Sequence, residues 1–95
     1  MNIVYLQLGS NLGEREKIIS KAVHKISCFV GDVKHRSKIY ESTPWRVDGQ
    51  ENYLNQIIQI ETSFSALETL SAVLKIENDL GRVRLEKWGE RLIDI

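Results

Sequence analysis

The stretch Tyr53–Thr62 reads YLNQIIQIET, and it indicates the fold most directly. Leu54, Ile58 and Ile60 fall on one parity, while Ile57 adds an apolar side chain to the other. Alternation of this kind is typical of a β-strand, whose successive side chains point to opposite faces of the sheet. We therefore expect a strand here, with its more apolar face toward a core.

The residues that follow this strand predict a helix. Ser65 and Glu68 have the S-x-x-E spacing of a capping box, and Gly81 stands where a helix would stop. Apolar residues continue at helical spacing between these signals: Leu67, Leu70, Val73, Leu74, Ile76 and Leu80.

The residues before the central strand predict three further elements. Ile3 to Leu8 is apolar and reads as a strand closed by Gly9, with the character of a central strand. Glu14 to about Cys28 has the period of an amphipathic helix. Val33 to Glu41 is mostly polar and predicts a strand near a sheet edge. The apolar stripe of the helix comprises Ile18, Ile19, Ala22, Val23 and Ile26.

The resulting order is β-α-β-β-α, and 92–95 alternates like the opening of another strand. This order predicts an α+β fold of the ferredoxin-like type, with helices packed on an antiparallel sheet and the last strand only begun. With 95 residues the chain forms a single domain, 1–95.

Composition restricts the function classes. The 13 Lys and Arg balance the 13 Asp and Glu, which argues against a polybasic nucleic-acid binder. No apolar run approaches the length of a membrane span, and no secretory signal opens the chain. Cys28 is the only cysteine and is interpreted as a buried or passive thiol, so we expect a cytoplasmic protein. His24 and His35 have no Cys or carboxylate at metal-ligand spacing.

The segment from Gly81 to Arg91 holds the densest cluster of cations. Arg82, Arg84 and Arg91 share it with Trp88. Guanidinium groups match phosphate oxygens, so such a loop could bind a polyphosphate. Asp94 follows and could hold Mg²⁺ against the phosphates. A solvated charged loop with a strand-end carboxylate is the alternative.

A second group of residues suits a flat heterocycle. Tyr53 and Asn55 share strand parity, which places an aromatic face beside an amide that donates and accepts. Thr43, Pro44 and Trp45 lie in the preceding loop. Ordinary sheet packing is the alternative. The glycine-bounded segment 9–13 is interpreted as a tight structural turn.

Taken together, these motifs resemble the 6-hydroxymethyl-7,8-dihydropterin pyrophosphokinase family of folate biosynthesis. The likeness rests on four stretches in order, 8–13, 40–44, 53–55 and 81–95, which span the chain. The resemblance implies transfer of pyrophosphate from ATP to 6-hydroxymethyl-7,8-dihydropterin, with Mg²⁺, giving AMP and the pterin diphosphate.

The resemblance also implies residue roles. Tyr53 would stack on the pterin and Asn55 would bond its polar edge, in a pocket lined by Thr43, Pro44 and Trp45. Arg82 and Arg91 would bind the triphosphate and stabilise charge during transfer. The remaining expected nucleotide and metal residues are Arg84, Trp88, Glu77 and Asp94.

The family pattern runs Asp-x-Asp and its proteins are longer, so the chain is expected to be the N-terminal part of such a domain, with little activity alone. ATP and the pterin are the expected partners, without nucleic acid or membrane, in a monomer or weak oligomer. A non-catalytic ligand-binding module of the same order is the first alternative. An RNA-binding domain is a weaker one, because the strands carry few aromatic residues.

Overall fold

The computed structural model describes residues 1–11, 13–43, 52–81 and 95. It contains four strands and two helices in these residues. In chain order they are β1 (Asn2–Ser10), α1 (Arg15–Phe29), β2 (Asp32–Arg36), β3 (Tyr40–Ser42), β4 (Tyr53–Thr62) and α2 (Ala66–Asp79). The predicted α+β class is confirmed, and the β4 strand has the predicted bounds.

The sheet is built around β4. It pairs antiparallel with β1 along nearly its whole length, from Asn2 opposite Thr62 to Ser10 opposite Leu54. Both β2 and β3 also pair antiparallel with β4, at its opposite ends. Since β1 occupies one edge of β4, the two short strands share the other edge.

The polar stretch after α1 forms two strands, and the prediction of one strand from Val33 to Glu41 is wrong. The register with β4 shifts between Val33 and His35. Ser37 then donates its backbone N–H to the Ile57 carbonyl over 2.8 Å, while its hydroxyl accepts the Ile57 N–H at 2.9 Å. A side-chain oxygen thus replaces a backbone acceptor, and regular pairing resumes only at Tyr40.

β1 differs from its prediction in length and position. Gly9 does not close the strand but pairs with Asn55. Within the described residues β1 pairs with β4 alone, so it is not a central strand there. Ile3 and Tyr5 are 59% and 68% exposed, because only the opposite face of the apolar run lies against the helices.

Helix α1 buries the predicted stripe. Ile19, Ala22, Val23 and Ile26 are buried between the helix and the sheet. The turn after the helix is held closely, since a Cβ on Gly31 would lie 2.3 Å from the Glu61 carbonyl oxygen. This close approach fixes where the chain returns to the sheet.

Helix α2 begins with the predicted capping box: the Ser65 hydroxyl accepts the Glu68 N–H, and the Glu68 carboxylate accepts the Ser65 N–H. Gly81, with φ 92°, follows its last turn. Its predicted apolar stripe is only partly in the core. Val73 and Ile76 are buried, whereas three leucines at helical spacing are exposed: Leu67, Leu70 and Leu74.

Both helices lie on one face of the sheet, over a core that includes Leu8, Ile58 and Ile60. The other side is called here the open face. It carries the alternate residues of β1 and β4, which include Tyr5, Gln7, Gly9, Asn55 and Ile57. No helix in the described part of the chain is long and apolar enough to cross a membrane.

Candidate substrate site on the open face

Asn55 is the most enclosed polar side chain of the open face. It lies near the start of β4, is 6% exposed, and has the half-buried Tyr53 on the same face. The period-two prediction that these two residues share a face is therefore confirmed. An aromatic ring and an amide now stand side by side on the strand that anchors the sheet.

Gly9 makes room for both side chains from the neighbouring strand. A Cβ on Gly9 would lie 3.1 Å from Asn55 Oδ1 and 3.3 Å from Tyr53 Cδ1. The sequence interpretation placed this glycine in a structural turn, and the structure corrects it. A glycine directly after an apolar strand run can mark a close approach rather than the strand's end, and that was the available signal.

A polar network ties Asn55 to β3. Its Nδ2 donates to Ser42 Oγ at 2.9 Å and to the Tyr40 carbonyl at 3.3 Å. The Tyr40 hydroxyl in turn accepts from Gln7 Nε2 at 3.0 Å. The sequence placed Ser42 in the segment grouped with Asn55 but gave it no role, because strand pairing between distant residues decides their contact.

A cleft of about 430 Å³ opens beside this network. Its size falls in the range of small-molecule sites, roughly 300–1,000 Å³. It is lined by Tyr5, Leu6, Gln7, Gly9, Asn55 and Ile95. The cleft therefore joins the edge of β1, the amide on β4 and the residue that follows Asp94.

The other predicted pocket residues are only partly covered by the structure. Thr43 is exposed and directly follows β3, next to Ser42. Pro44 and Trp45 lie outside the described residues, as do the predicted phosphate and metal residues Arg82, Arg84, Trp88, Arg91 and Asp94.

Glu77 has a well-defined environment. It is 2% exposed on α2, and its Oε2 accepts the backbone N–H of Ile95 at 2.9 Å. A hydrogen bond from a backbone N–H to a buried carboxylate is charge-assisted and strong. Glu77 therefore holds the chain at the position directly after Asp94.

The described residues contain no group of three or more His, Cys, Asp and Glu side chains that could hold a metal ion. Cys28 is exposed rather than buried. Its Sγ lies 3.7 Å from His24 Nε2, which corrects the expectation that no cysteine lies at ligand spacing from His24. These residues border a second cleft, of about 500 Å³, on the outer surface of α1.

Comparison with known proteins identifies the family of this site. A family model described as 7,8-dihydro-6-hydroxymethylpterin-pyrophosphokinase matches residues 5–95. The chain belongs to this family. Tyr53, Asn55 and the neighbouring Gly9 of β1 therefore lie within the domain shared by the pyrophosphokinases.

Curated relatives of this chain carry the name of the same enzyme family. Proteins named 2-amino-4-hydroxy-6-hydroxymethyldihydropteridine pyrophosphokinase are similar to this chain: that of Aquifex aeolicus is 41% identical over 95 residues, and that of Bacillus subtilis 39% over 95 residues. The Methylorubrum extorquens protein is 38% identical over 96 residues. The alignments cover 100%, 99% and 100% of this chain but only 59%, 57% and 61% of these pyrophosphokinases.

Proposed function

We propose that this chain forms part of an enzyme that transfers pyrophosphate from ATP to 6-hydroxymethyl-7,8-dihydropterin. The pterin's hydroxymethyl oxygen would bond to the β-phosphorus as the bond between that phosphorus and the α-phosphate oxygen breaks, and AMP would leave. The supporting observation is the open-face site of a member of the pyrophosphokinase family, in which the buried Asn55 amide lines a cleft and the Tyr53 ring lies on the same face of β4.

The pterin would occupy the open face. Tyr53 offers a ring for stacking, and Asn55 offers a fixed amide to the polar edge of the heterocycle. Thr43 adjoins Asn55's partner Ser42 and is exposed, so the residue is accessible to a ligand. Pro44 and Trp45 would complete the pocket.

The nucleotide would be bound by the cation-rich segment after α2. Arg82 and Arg91 would neutralise the triphosphate as charge shifts during transfer, and Arg84 and Trp88 would close over it. Transfers of this class depend mainly on positioning and on charge stabilisation.

Mg²⁺ would supply further charge neutralisation on the phosphates, and the Asp94 carboxylate is the proposed ligand from this chain. Glu77 would lie near the nucleotide, and its bond to Ile95 would hold the chain beside Asp94. A cytoplasmic location and a monomeric or weakly associating state complete the proposal.

Isothermal titration tests the proposed function. A non-hydrolysable ATP analogue with Mg²⁺ is titrated into the chain, followed by 6-hydroxymethylpterin. We expect nucleotide to bind and to promote pterin binding, and Arg82→Ala to weaken the nucleotide step about tenfold or more. Arg36→Ala, an exposed change on β2, is the matched control and should leave both steps unchanged.

Two results would count against the proposal. Binding of the pterin without any nucleotide binding would favour a non-catalytic ligand-binding module. Binding of neither ligand by a folded sample would contradict a substrate site in this chain.

A further inference from the structure

The Asn55 side chain has an orientation that limits what it can offer a ligand. A primary amide carries two N–H donors on nitrogen and an acceptor oxygen. Nδ2 of Asn55 donates to Ser42 Oγ at 2.9 Å and to the Tyr40 carbonyl at 3.3 Å. A backbone carbonyl can only accept, so the nitrogen must face β3. Both donors are then engaged within the protein.

The amide oxygen points the other way. Asn55 Oδ1 lies 3.1 Å from the place that a Cβ on Gly9 would occupy, and both residues line the open-face cleft. The described residues give Oδ1 no hydrogen-bond donor of its own. Asn55 Oδ1 is therefore a hydrogen-bond acceptor on the wall of the cleft.

We propose that Ser42 is a positioning residue, which fixes the Asn55 amide so that only its carbonyl oxygen faces the ligand. It follows that the heterocycle edge bound at Asn55 must donate. The N–H at ring position 3 of a pterin meets this requirement and is the group bound there. This inference rests on the proposed function for its ligand, while the orientation of the amide stands on the hydrogen bonds alone.

An isosteric pair of ligands tests the donor requirement. In 6-hydroxymethyl-2,4-diaminopteridine, ring position 3 accepts and position 4 donates, the reverse of 6-hydroxymethylpterin. The parent chain should bind the pterin about tenfold more tightly than the diamino compound, because position 3 of the diamino compound sets a lone pair against the Asn55 carbonyl oxygen. Equal affinities would overturn the donor requirement.

Variants at Ser42 test the positioning role. Ser42→Ala frees one amide proton, so pterin affinity should fall about fivefold to tenfold while diaminopteridine affinity stays or rises. Ser42→Thr keeps the hydroxyl and should restore parental preference. Ser20→Ala, an exposed serine on α1, is the control. An equal loss for both ligands would show a merely structural role and refute the proposal.

A ligand-free measurement decides the orientation separately. In nuclear magnetic resonance spectra, the Asn55 side-chain NH₂ should show contacts to the Ser42 β-protons and slow exchange with solvent. Ser42→Ala should speed that exchange. An unchanged exchange rate would overturn the positioning role. Failure of the parent chain to bind pterin, with these spectra as expected, would instead refute the proposed function.

Discussion

Gly9→Ala is the sharpest perturbation of the site, because it adds a single methyl group beneath Tyr53 and Asn55. The new carbon would lie 3.1 Å from Asn55 Oδ1 and 3.3 Å from Tyr53 Cδ1, where ordinary contacts begin near 3.4 Å. The amide must therefore move by about 0.3 Å. It cannot do so freely, because Ser42 and Tyr40 hold its nitrogen.

The expected effect on folding is small. The backbone at Gly9 does not have the positive φ that penalises alanine, so the substitution gains about 0.4–1 kcal/mol from the unfolded chain. A few tenths of an ångström of strain offsets this gain. We expect the free energy of unfolding to change by less than about 1 kcal/mol, while pterin affinity falls about tenfold as the carbonyl oxygen shifts.

Gly31→Ala provides the matched comparison at the other end of the sheet. Its Cβ would lie 2.3 Å from the Glu61 carbonyl oxygen and 2.8 Å from Thr62 Cβ, so backbone must move. We expect a loss of about 3 kcal/mol, which lowers the melting temperature by roughly 12–24 °C in a domain of this size.

Thermal melts followed by circular dichroism, together with pterin titrations, check this contrast. A Cβ at Gly9 meets side chains, whereas one at Gly31 meets backbone. Equal destabilisation by the two substitutions would refute the argument that these two kinds of contact differ in cost. Unchanged pterin affinity in Gly9→Ala would refute the placement of the ligand above this strand.

Three further changes have defined outcomes. Ser65→Ala removes the hydroxyl of the capping box and should lower the free energy of unfolding by about 1 kcal/mol in urea titrations; no change would contradict the cap. Thr62→Val loses one buried and one partly buried hydrogen bond and should lower the free energy of unfolding by about 1–3 kcal/mol. Thr69→Val, whose buried hydroxyl has no partner within the described residues, should be neutral or stabilising, and the reverse order would contradict the assignment. Glu77→Leu should speed amide exchange at Ile95 and weaken nucleotide binding. Glu77→Gln keeps an acceptor oxygen, so both effects should be smaller. Equal effects of the two changes would argue against the hydrogen bond.

The sequence predicts the elements whose signals are local. The alternation of β4 and the capping box of α2 each lie within a few residues, and both are confirmed. The break between β2 and β3 depends on a serine hydroxyl that meets a strand twenty residues away, so no local pattern contained it. The position of β1 at an edge of the described sheet is also set by long-range pairing.

The same distinction applies to the site. A period of two suffices to place Tyr53 and Asn55 on one face. It does not show that Gly9 lies opposite them or that Ser42 fixes the amide, because both contacts need the strand register. The exposed leucines of α2 show a related limit, since helical spacing marks an apolar stripe but not what covers it.

Mapping pterin binding by nuclear magnetic resonance tests the location of the site most directly. 6-Hydroxymethylpterin is added to the ¹⁵N-labelled chain with the ATP analogue and Mg²⁺ present, and amide shifts are followed. The shifts should concentrate at Gly9, Tyr53 and Asn55 on the open face. Shifts confined to the cleft beside His24 and Cys28, or none at all in a folded sample, would contradict a pterin site on the open face.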